Sequence, residues 1–183
     1  MILPLQRFLA TALLALAAWP ACGEEFKDFD TRGLPGAQGV VVRVRHPAPW
    51  QEVPADDAQV LAEFRGPQDG LTGILQIGRG QRRDDIATLC QPERARTMLQ
   101  DAHEPGTRVT DVFARRLDGR PAYEIRYERH EAPTFLVVRS LVVCLKDTRV
   151  VVSCGGAGER KAGLSAIEPV CRQVLDSLSV SEE

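Results

Sequence analysis

Four cysteines, Cys90, Cys144, Cys154 and Cys171, have the most clearly defined chemistry in this sequence. Cysteines that bind zinc usually come as close pairs, but no C-x-x-C pair is present here and the intervals are 54, 10 and 17 residues. The fifth cysteine, Cys22, lies in an N-terminal segment with the pattern of an export signal, described below. The four others are an even number, which in an exported chain is typical of structural disulfides, because compartments outside the cytoplasm are oxidising. The sequence therefore predicts two disulfides and no metal site.

Strand geometry constrains the disulfide pairing. If Cys144 faces Val150 across a tight turn, Cys154 lies four residues further along the neighbouring strand, on the order of 13 Å away. Bridged cysteines have Cα atoms within ~7 Å, so a bond between these two is disfavoured. A final helix that runs back over the sheet brings Cys171 beside Cys144, which leaves Cys90 for Cys154. A different loop length would exchange the partners.

Other residues with catalytic chemistry have simpler explanations. His46, His103 and His130 lie beside proline, glycine or charged loop residues, and no further ligand stands at metal-binding spacing. Ser165 lacks the Gly-x-Ser-x-Gly context of a nucleophile and begins a segment of capping-box form. The segment 155–158 lacks the spacing of a phosphate-binding glycine loop and is interpreted as a flexible connection. We expect no catalytic residue, metal or cofactor.

Two features are candidates for binding a protein partner. Arg79, Arg82 and Arg83 form a cationic loop between a predicted strand and a predicted helix, although Asp84-Asp85 follows and partly neutralises the charge. Trp50 is a candidate anchor, because aromatic residues dominate interface hot spots. The alternatives are a solvated loop for the arginines and packing over a sheet edge for the tryptophan.

Residues 1–23 have the three-part pattern of a secretory signal peptide. Arg7 precedes an apolar stretch over 8–18, and Ala21-Cys22-Gly23 supplies small side chains for cleavage before Glu24. The apolar stretch is shorter than the ~20 residues of a transmembrane helix. We expect a soluble periplasmic protein, with a lipid anchor on Cys22 as the alternative.

The composition sets limits on the partners and on the domain count. There are 23 basic and 25 acidic residues, for a net charge of −2, so the overall charge provides no attraction for nucleic acid or for anionic lipid. The chain that remains after residue 23 has the length of one domain with its own core.

Periodicity predicts an α+β chain with an antiparallel sheet of six to eight strands. A flexible leader over 24–37 precedes a single domain over 38–183. A helical segment over 84–100 lies mid-chain, in which Pro92 either breaks the helix or begins a second one after Gln91, and another helical segment lies at the C-terminus. Asp118-Gly119 is a strong signal for a two-residue hairpin. The predicted strands lie at 40–44, 59–64, 71–77, 107–117, 123–128, 135–145 and 149–154.

The order of these elements resembles the PsbP-like family, named for an extrinsic subunit of photosystem II. The resemblance covers about residues 38–181 and rests on the strand 40–50, a strand that ends at Glu63-Phe64, the Asp118–Tyr123 hairpin and the closing helical segment Val174–Leu178. It implies an α-β-α sandwich that binds other macromolecules, among them photosystem subunits, a nuclear-transport GTPase and type VI secretion components. No functional residue carries over, and the four cysteines are not a general feature of the family.

Together these observations predict an exported, non-catalytic protein-interaction module that binds a periplasmic protein. An inhibitor or immunity protein and a secretion-accessory protein are both compatible with that description. Two other classes stay open, namely a thiol-based or hydrolytic enzyme and a carrier of a small molecule or lipid.

Overall fold

A computed structural model of the chain describes residues 25–80, 90–101, 106–159 and 165–183. The predicted signal peptide and Cys22 lie outside these residues. The fold is mainly antiparallel strand with two helices, which confirms the α+β class. The strands are β1 (Phe26–Asp30), β2 (Val40–Pro47), β3 (Gln51–Val53), β4 (Val60–Gln68), β5 (Leu71–Arg79), β6 (Thr107–Leu117), β7 (Arg120–Glu131), β8 (Thr134–Cys144), β9 (Arg149–Gly158) and β10 (Ser179–Glu182), and the helices are α1 (Pro92–Asp101) and α2 (Ile167–Asp176).

The main sheet has seven strands in the order β3-β4-β5-β9-β8-β7-β6, within the predicted range of six to eight. Every neighbouring pair is antiparallel. The predicted hairpin joins β6 to β7, and its two turn residues, Asp118 and Gly119, have φ values of 50° and 78°. Positive φ at both central positions matches the right-handed twist of the strands, which is why this dipeptide favours a hairpin.

Alternating side chains give the main sheet two different faces. The first face carries α2 and β2, and together they enclose the larger apolar core, to which Leu75, Val143 and Val152 contribute. The second face carries a smaller cluster built on Tyr123 and Val142, together with the segment that leads into α1. The two helical segments therefore lie on opposite faces, as in the α-β-α sandwich expected from the sequence.

The predicted flexible leader over 24–37 is wrong. Its first part forms β1, which pairs antiparallel with β2, and Pro35–Ala37 forms a turn of 3-10 helix. Strand β10 pairs with the other edge of β2 and completes a three-stranded sheet. The aromatic ring of Phe29 packs edge-on against Phe64 with centroids 4.9 Å apart. This contact across the chain stabilises a strand whose local sequence is mostly charged.

Both predicted disulfides are present, but the preferred pairing is wrong. Cys90 is bonded to Cys144, and Cys154 is bonded to Cys171. Cys144 faces Arg149 across the turn, and not Val150 as the predicted register had it. A shift of one residue reverses the face on which every side chain of a strand lies. Cys144 therefore points to the second face, with Cys90, and Cys154 points to the first face, with Cys171 of α2.

One smaller prediction is confirmed and two others are wrong. Helix α1 begins at Pro92, as allowed by the missing N–H of proline at a first helical turn, and the earlier part of the predicted helix, 84–89, lies outside the described residues. The segment 155–158, expected to be a flexible connection, is the end of strand β9. Ser165 is not the cap of α2, because Ala166 occupies that position without a side-chain hydrogen bond. Neither of the two described helices, each of ten residues, is long enough to cross a membrane.

Candidate interaction site

A polar cleft opens on the second face where β5 ends. Its cavity has a volume of about 150 Å³. Gln76 of β5 and Ser153 of β9 form its floor, because they are register partners on the second face. Asp57, Gln59 and Arg79 stand around it. The cleft lies at this end of the sheet, beside Val60, the first residue of β4, and Val151 of β9.

Arg79 is the most distinctive group in the cleft. Its side chain is half-buried, and its Nε atom is shielded from solvent without a hydrogen-bond acceptor among the described residues. A shielded donor that lacks a partner costs roughly 1–3 kcal/mol. The nearby carboxylate of Asp57 is already used, because its Oδ1 accepts a hydrogen bond from the backbone N–H of Gln59 at 2.8 Å. Arg79 thus lines the cleft with an Nε–H that no described residue uses. Its register partner is Val150, so its Cβ lies on the opposite face of β5 from Gln76.

A row of polar side chains continues from the cleft floor across the second face. It consists of Glu63, Gln76, Ser153 and Ser140, which are successive register partners on β4, β5, β9 and β8. Gln76 Nε2 donates to Glu63 Oε2 at 2.9 Å, and the hydroxyls of Ser140 and Ser153 are 2.8 Å apart. Glu63 and Ser140 are buried. The row gives this part of the sheet hydrogen-bonding groups where an all-apolar surface would be expected.

A second polar cluster lies on the first face, near α2. The carboxylate of Glu124 is buried and accepts hydrogen bonds from three guanidinium groups, those of Arg115, Arg126 and Arg139. Arg139 also donates to Glu168 of α2 at 3.0 Å. Burial by itself raises the pKa of Glu124, but the hydrogen bonds from the three arginines and the charge of Arg139 together lower it below its ordinary value. This cluster ties β6, β7, β8 and α2 together, and sequence reasoning did not find it.

Of the residues predicted to bind a partner, one lines the cleft, one is buried elsewhere and two lie outside the described residues. Arg79 lines the cleft, whereas Arg82 and Arg83 lie outside the described residues. Trp50 is buried, with its ring on the backbone of Gly66 and Gly73, so it is not an exposed anchor. Packing over the sheet edge, the alternative interpretation, describes it correctly.

The histidines show no catalytic arrangement among the described residues. His46 is buried in β2 and stacks on Phe64, and its Nδ1 donates to the backbone carbonyl of Pro47 at 3.0 Å. Burial lowers the pKa of His46 below its ordinary value. His130 stacks on Phe135 near the end of β7, and His103 lies outside the described residues. Across the described part of the chain, no group of three or more histidine, cysteine or acidic side chains is placed to hold a metal.

Comparison with known proteins identifies the fold. No protein-family model matches the chain, and no curated protein matches it in sequence. LpqN, a protein involved in cell envelope biogenesis of Mycobacterium tuberculosis, superposes with a TM-score of 0.58 at 13% identity over 86% of this chain and 92% of its own. Cyanobacterial PsbP (CyanoP) from Synechocystis sp. PCC 6803 gives the same TM-score at 14% identity over 91% of this chain and 99% of its own. The chain has the PsbP-like fold.

Identities of this size establish the fold alone, so the site has to be argued from this chain's residues. In this version of the PsbP-like fold, one disulfide fixes α2 on the first face and the other fixes the segment before α1 on the second face. Because the four cysteines after residue 89 are all paired, none of them presents the free thiol that a thiol-based enzyme would need. The cleft at Arg79 is consequently the arrangement that best fits binding of another molecule.

Proposed function

We propose that this protein is exported and binds another protein in the cell envelope through the cleft at Arg79. The observation that carries the proposal is the Nε–H of Arg79, which is shielded from solvent and has no hydrogen-bond partner among the described residues. A guanidinium binds a carboxylate through two parallel N–H···O bonds, which adds geometric specificity to charge attraction. The expected ligand is an Asp or Glu side chain of the partner, with Gln76 and Ser153 bonding its backbone.

Three observations support export. Residues 1–23 have the pattern of a cleavable signal, and both disulfides are formed, as expected in an oxidising compartment. LpqN, which has the same fold, is involved in envelope biogenesis. Cleavage before Glu24 gives a periplasmic protein, and processing at Cys22 gives a lipid-anchored one with the same domain. The cleft lies on the folded domain, so it is available in both forms.

The test is affinity isolation with matched arginine variants. Mature wild-type protein, Arg79→Ala and Arg172→Ala are immobilised and incubated with an envelope extract of the source organism, and bound proteins are quantified by mass spectrometry. Arg172 is exposed on α2 and makes no ion pair among the described residues, so its variant controls for general charge attraction. We expect a protein that wild type and Arg172→Ala retain equally and that Arg79→Ala retains at least ~10-fold less, which is about 1.4 kcal/mol. Equal retention by all three would contradict the proposal.

Two further measurements make this test specific. Arg79→Lys keeps the charge but loses the planar fork, so its retention should fall between those of wild type and Arg79→Ala. Urea midpoints of the variants should equal that of wild type, which excludes loss of the fold. The identity of the retained protein then separates the two roles, because an inhibitor binds a toxin or hydrolase and an accessory protein binds a secretion component.

A further inference from the structure

The outer edge of β6 is an open sheet edge. Strand β6 is the last in the seven-stranded order, and no strand in the described part of the chain pairs with its outer side. Such an edge presents unpaired N–H and C=O groups that can pair with another strand. Phe113 and Ala114 point to opposite faces of β6, and both are exposed. The strand is therefore accessible from both faces at this point.

The side chains of this stretch, half-buried at Asp111 and exposed at Phe113 and Arg115, are arranged in an unusual order. Asp111, Phe113 and Arg115 share the first face, because their register partners are alternate residues of β7. Phe113 is 43% exposed and is the one large apolar side chain in the exposed class among the described residues. The guanidinium of Arg126 covers part of its ring, 5.2 Å from the centroid. An acidic residue, an aromatic residue and a basic residue thus follow each other at every second position.

This order is complementary to itself. Two copies of β6 can pair antiparallel with the two-fold axis at Phe113, so that the two phenylalanines face each other. Asp111 of each copy then lies opposite Arg115 of the other copy. On the other face, Val112 lies opposite Ala114. Opposite charges and aromatic pairs in directly facing positions stabilise antiparallel strands. A two-fold interface requires such reciprocal contacts, in which residue i contacts j and j contacts i.

Asp111 and Arg115 are both able to form these ion pairs between two copies. Asp111 makes no ion pair with any described residue. Arg115 donates to Glu124 at 2.8 Å and lies 3.6 Å from Asp176, yet 38% of its side chain stays exposed and the guanidinium has five N–H donors. The irregularity in the ladder between Val109 and Asp111 limits regular pairing to the part of β6 that begins at Asp111. A short paired segment gives a weak interface, so the association should appear only at high concentration.

We propose that a second copy of this chain docks on β6, antiparallel, with Phe113 at the two-fold axis. The two seven-stranded sheets then form one continuous sheet. Three strands separate β6 from β5, so the dimer leaves the cleft at Arg79 open and carries two of them. The proposal does not depend on the function assigned to that cleft.

Sedimentation of the mature, oxidised protein between about 10 μM and 1 mM tests the association. Wild type should form a dimer whose dissociation constant rises at high salt, because exposed ion pairs are screened. Asp111→Lys places like charges opposite Arg115 and should weaken the dimer at least ~10-fold, whereas Glu131→Lys, an exposed charge reversal on β7, should leave it unchanged. A wild type that stays monomeric at 1 mM would overturn the proposal. A dimer that Asp111→Lys does not weaken would overturn it equally.

Cysteine substitution tests the position of the axis. Phe113→Cys should form an intermolecular disulfide under mild oxidation, because the two positions face each other. Arg116→Cys is the matched control on the same exposed strand, and its two copies would be roughly 20 Å apart at the usual rise per residue, beyond the ~7 Å limit for a disulfide. Peptide mapping confirms that the native disulfides are retained. Equal cross-linking of both variants, or of the control alone, would contradict the proposed register.

Discussion

The buried carboxylate of Glu124 gives the sharpest prediction about stability. Glu124→Gln keeps the shape of the side chain and removes its charge. The side chains of Glu124 and Arg139 are only 3% and 6% exposed, so Arg139 would lose its main counter-charge in a place that water does not reach. Breaking one partner of a buried ion pair costs roughly 3–5 kcal/mol. Because Glu168 still accepts a hydrogen bond from Arg139 at 3.0 Å, we expect the lower end, about 3 kcal/mol.

The assay is urea unfolding of the oxidised protein, followed by circular dichroism. The free energy of unfolding follows from the midpoint and the slope, and the slope should be unchanged. Glu131→Gln is the matched control, since Glu131 lies on the same strand and is 3.0 Å from Arg129, but its side chain is 75% exposed. An exposed pair contributes less than about 1 kcal/mol, so this variant should be close to wild type. If the two variants lose the same free energy, the argument from burial is wrong.

Three further predictions can be measured with the same assay. Gly73→Ala should lower the free energy of unfolding by about 1–3 kcal/mol, because its Cβ would overlap the ring of Trp50, whereas Gly78→Ala, with its nearest atom at 3.4 Å, should cost less. His46 has a pKa below its ordinary 6.5 when folded, so the unfolded chain binds the proton first, and stability should fall as the pH drops below about 6.5. His46→Gln should reduce that fall, and an identical pH profile would refute the assignment. The pKa of Glu124 is lowered in the folded state, so its contribution to the free energy of unfolding is present at pH values above its ordinary pKa of 4.5 and is lost as the pH falls further. Glu124→Gln should lack this acid-dependent loss of stability.

Local signals predicted most elements of the main sheet correctly. The Asp118-Gly119 turn and the alternation that follows it define β7 within a few residues, because a turn and a period of two are properties of neighbouring residues. Strand β1 was missed for the opposite reason. Its sequence is mostly charged, and it forms because Phe29 reaches Phe64 and because its backbone pairs with β2, which no local pattern reveals.

The predicted disulfide pairing was wrong because the predicted register of β8 and β9 was shifted by one residue. Placing Cys144 opposite Val150 rather than Arg149 put Cys144 and Cys154 on the same face of the sheet, and the helices were then assigned to the wrong cysteines. The turn between β8 and β9 fixes that register. The sequence of the turn does not specify the turn type clearly enough to distinguish the predicted register from the observed one.

The candidate site could be predicted only in part. Arg79 was identified because it begins a cluster of arginines, but its lack of a partner depends on where Asp57 and Gln76 lie in the fold. In the cluster around Glu124, Arg139 contacts residues that are distant in the sequence. Glu124 is 15 positions away from it, and Glu168 of α2 is 29 positions away. One signal was available, since Arg139 lies in an otherwise apolar strand and a buried arginine requires a buried acid.

The proposed function depends on export with both disulfides formed. The most direct test is the intact mass of the protein isolated from the envelope fraction, alkylated with and without prior reduction. We expect a chain that begins at Glu24, or at a lipid-modified Cys22, in which the thiols of Cys90, Cys144, Cys154 and Cys171 react only after reduction. A full-length chain with its signal attached, or thiols that react before reduction, would contradict the account.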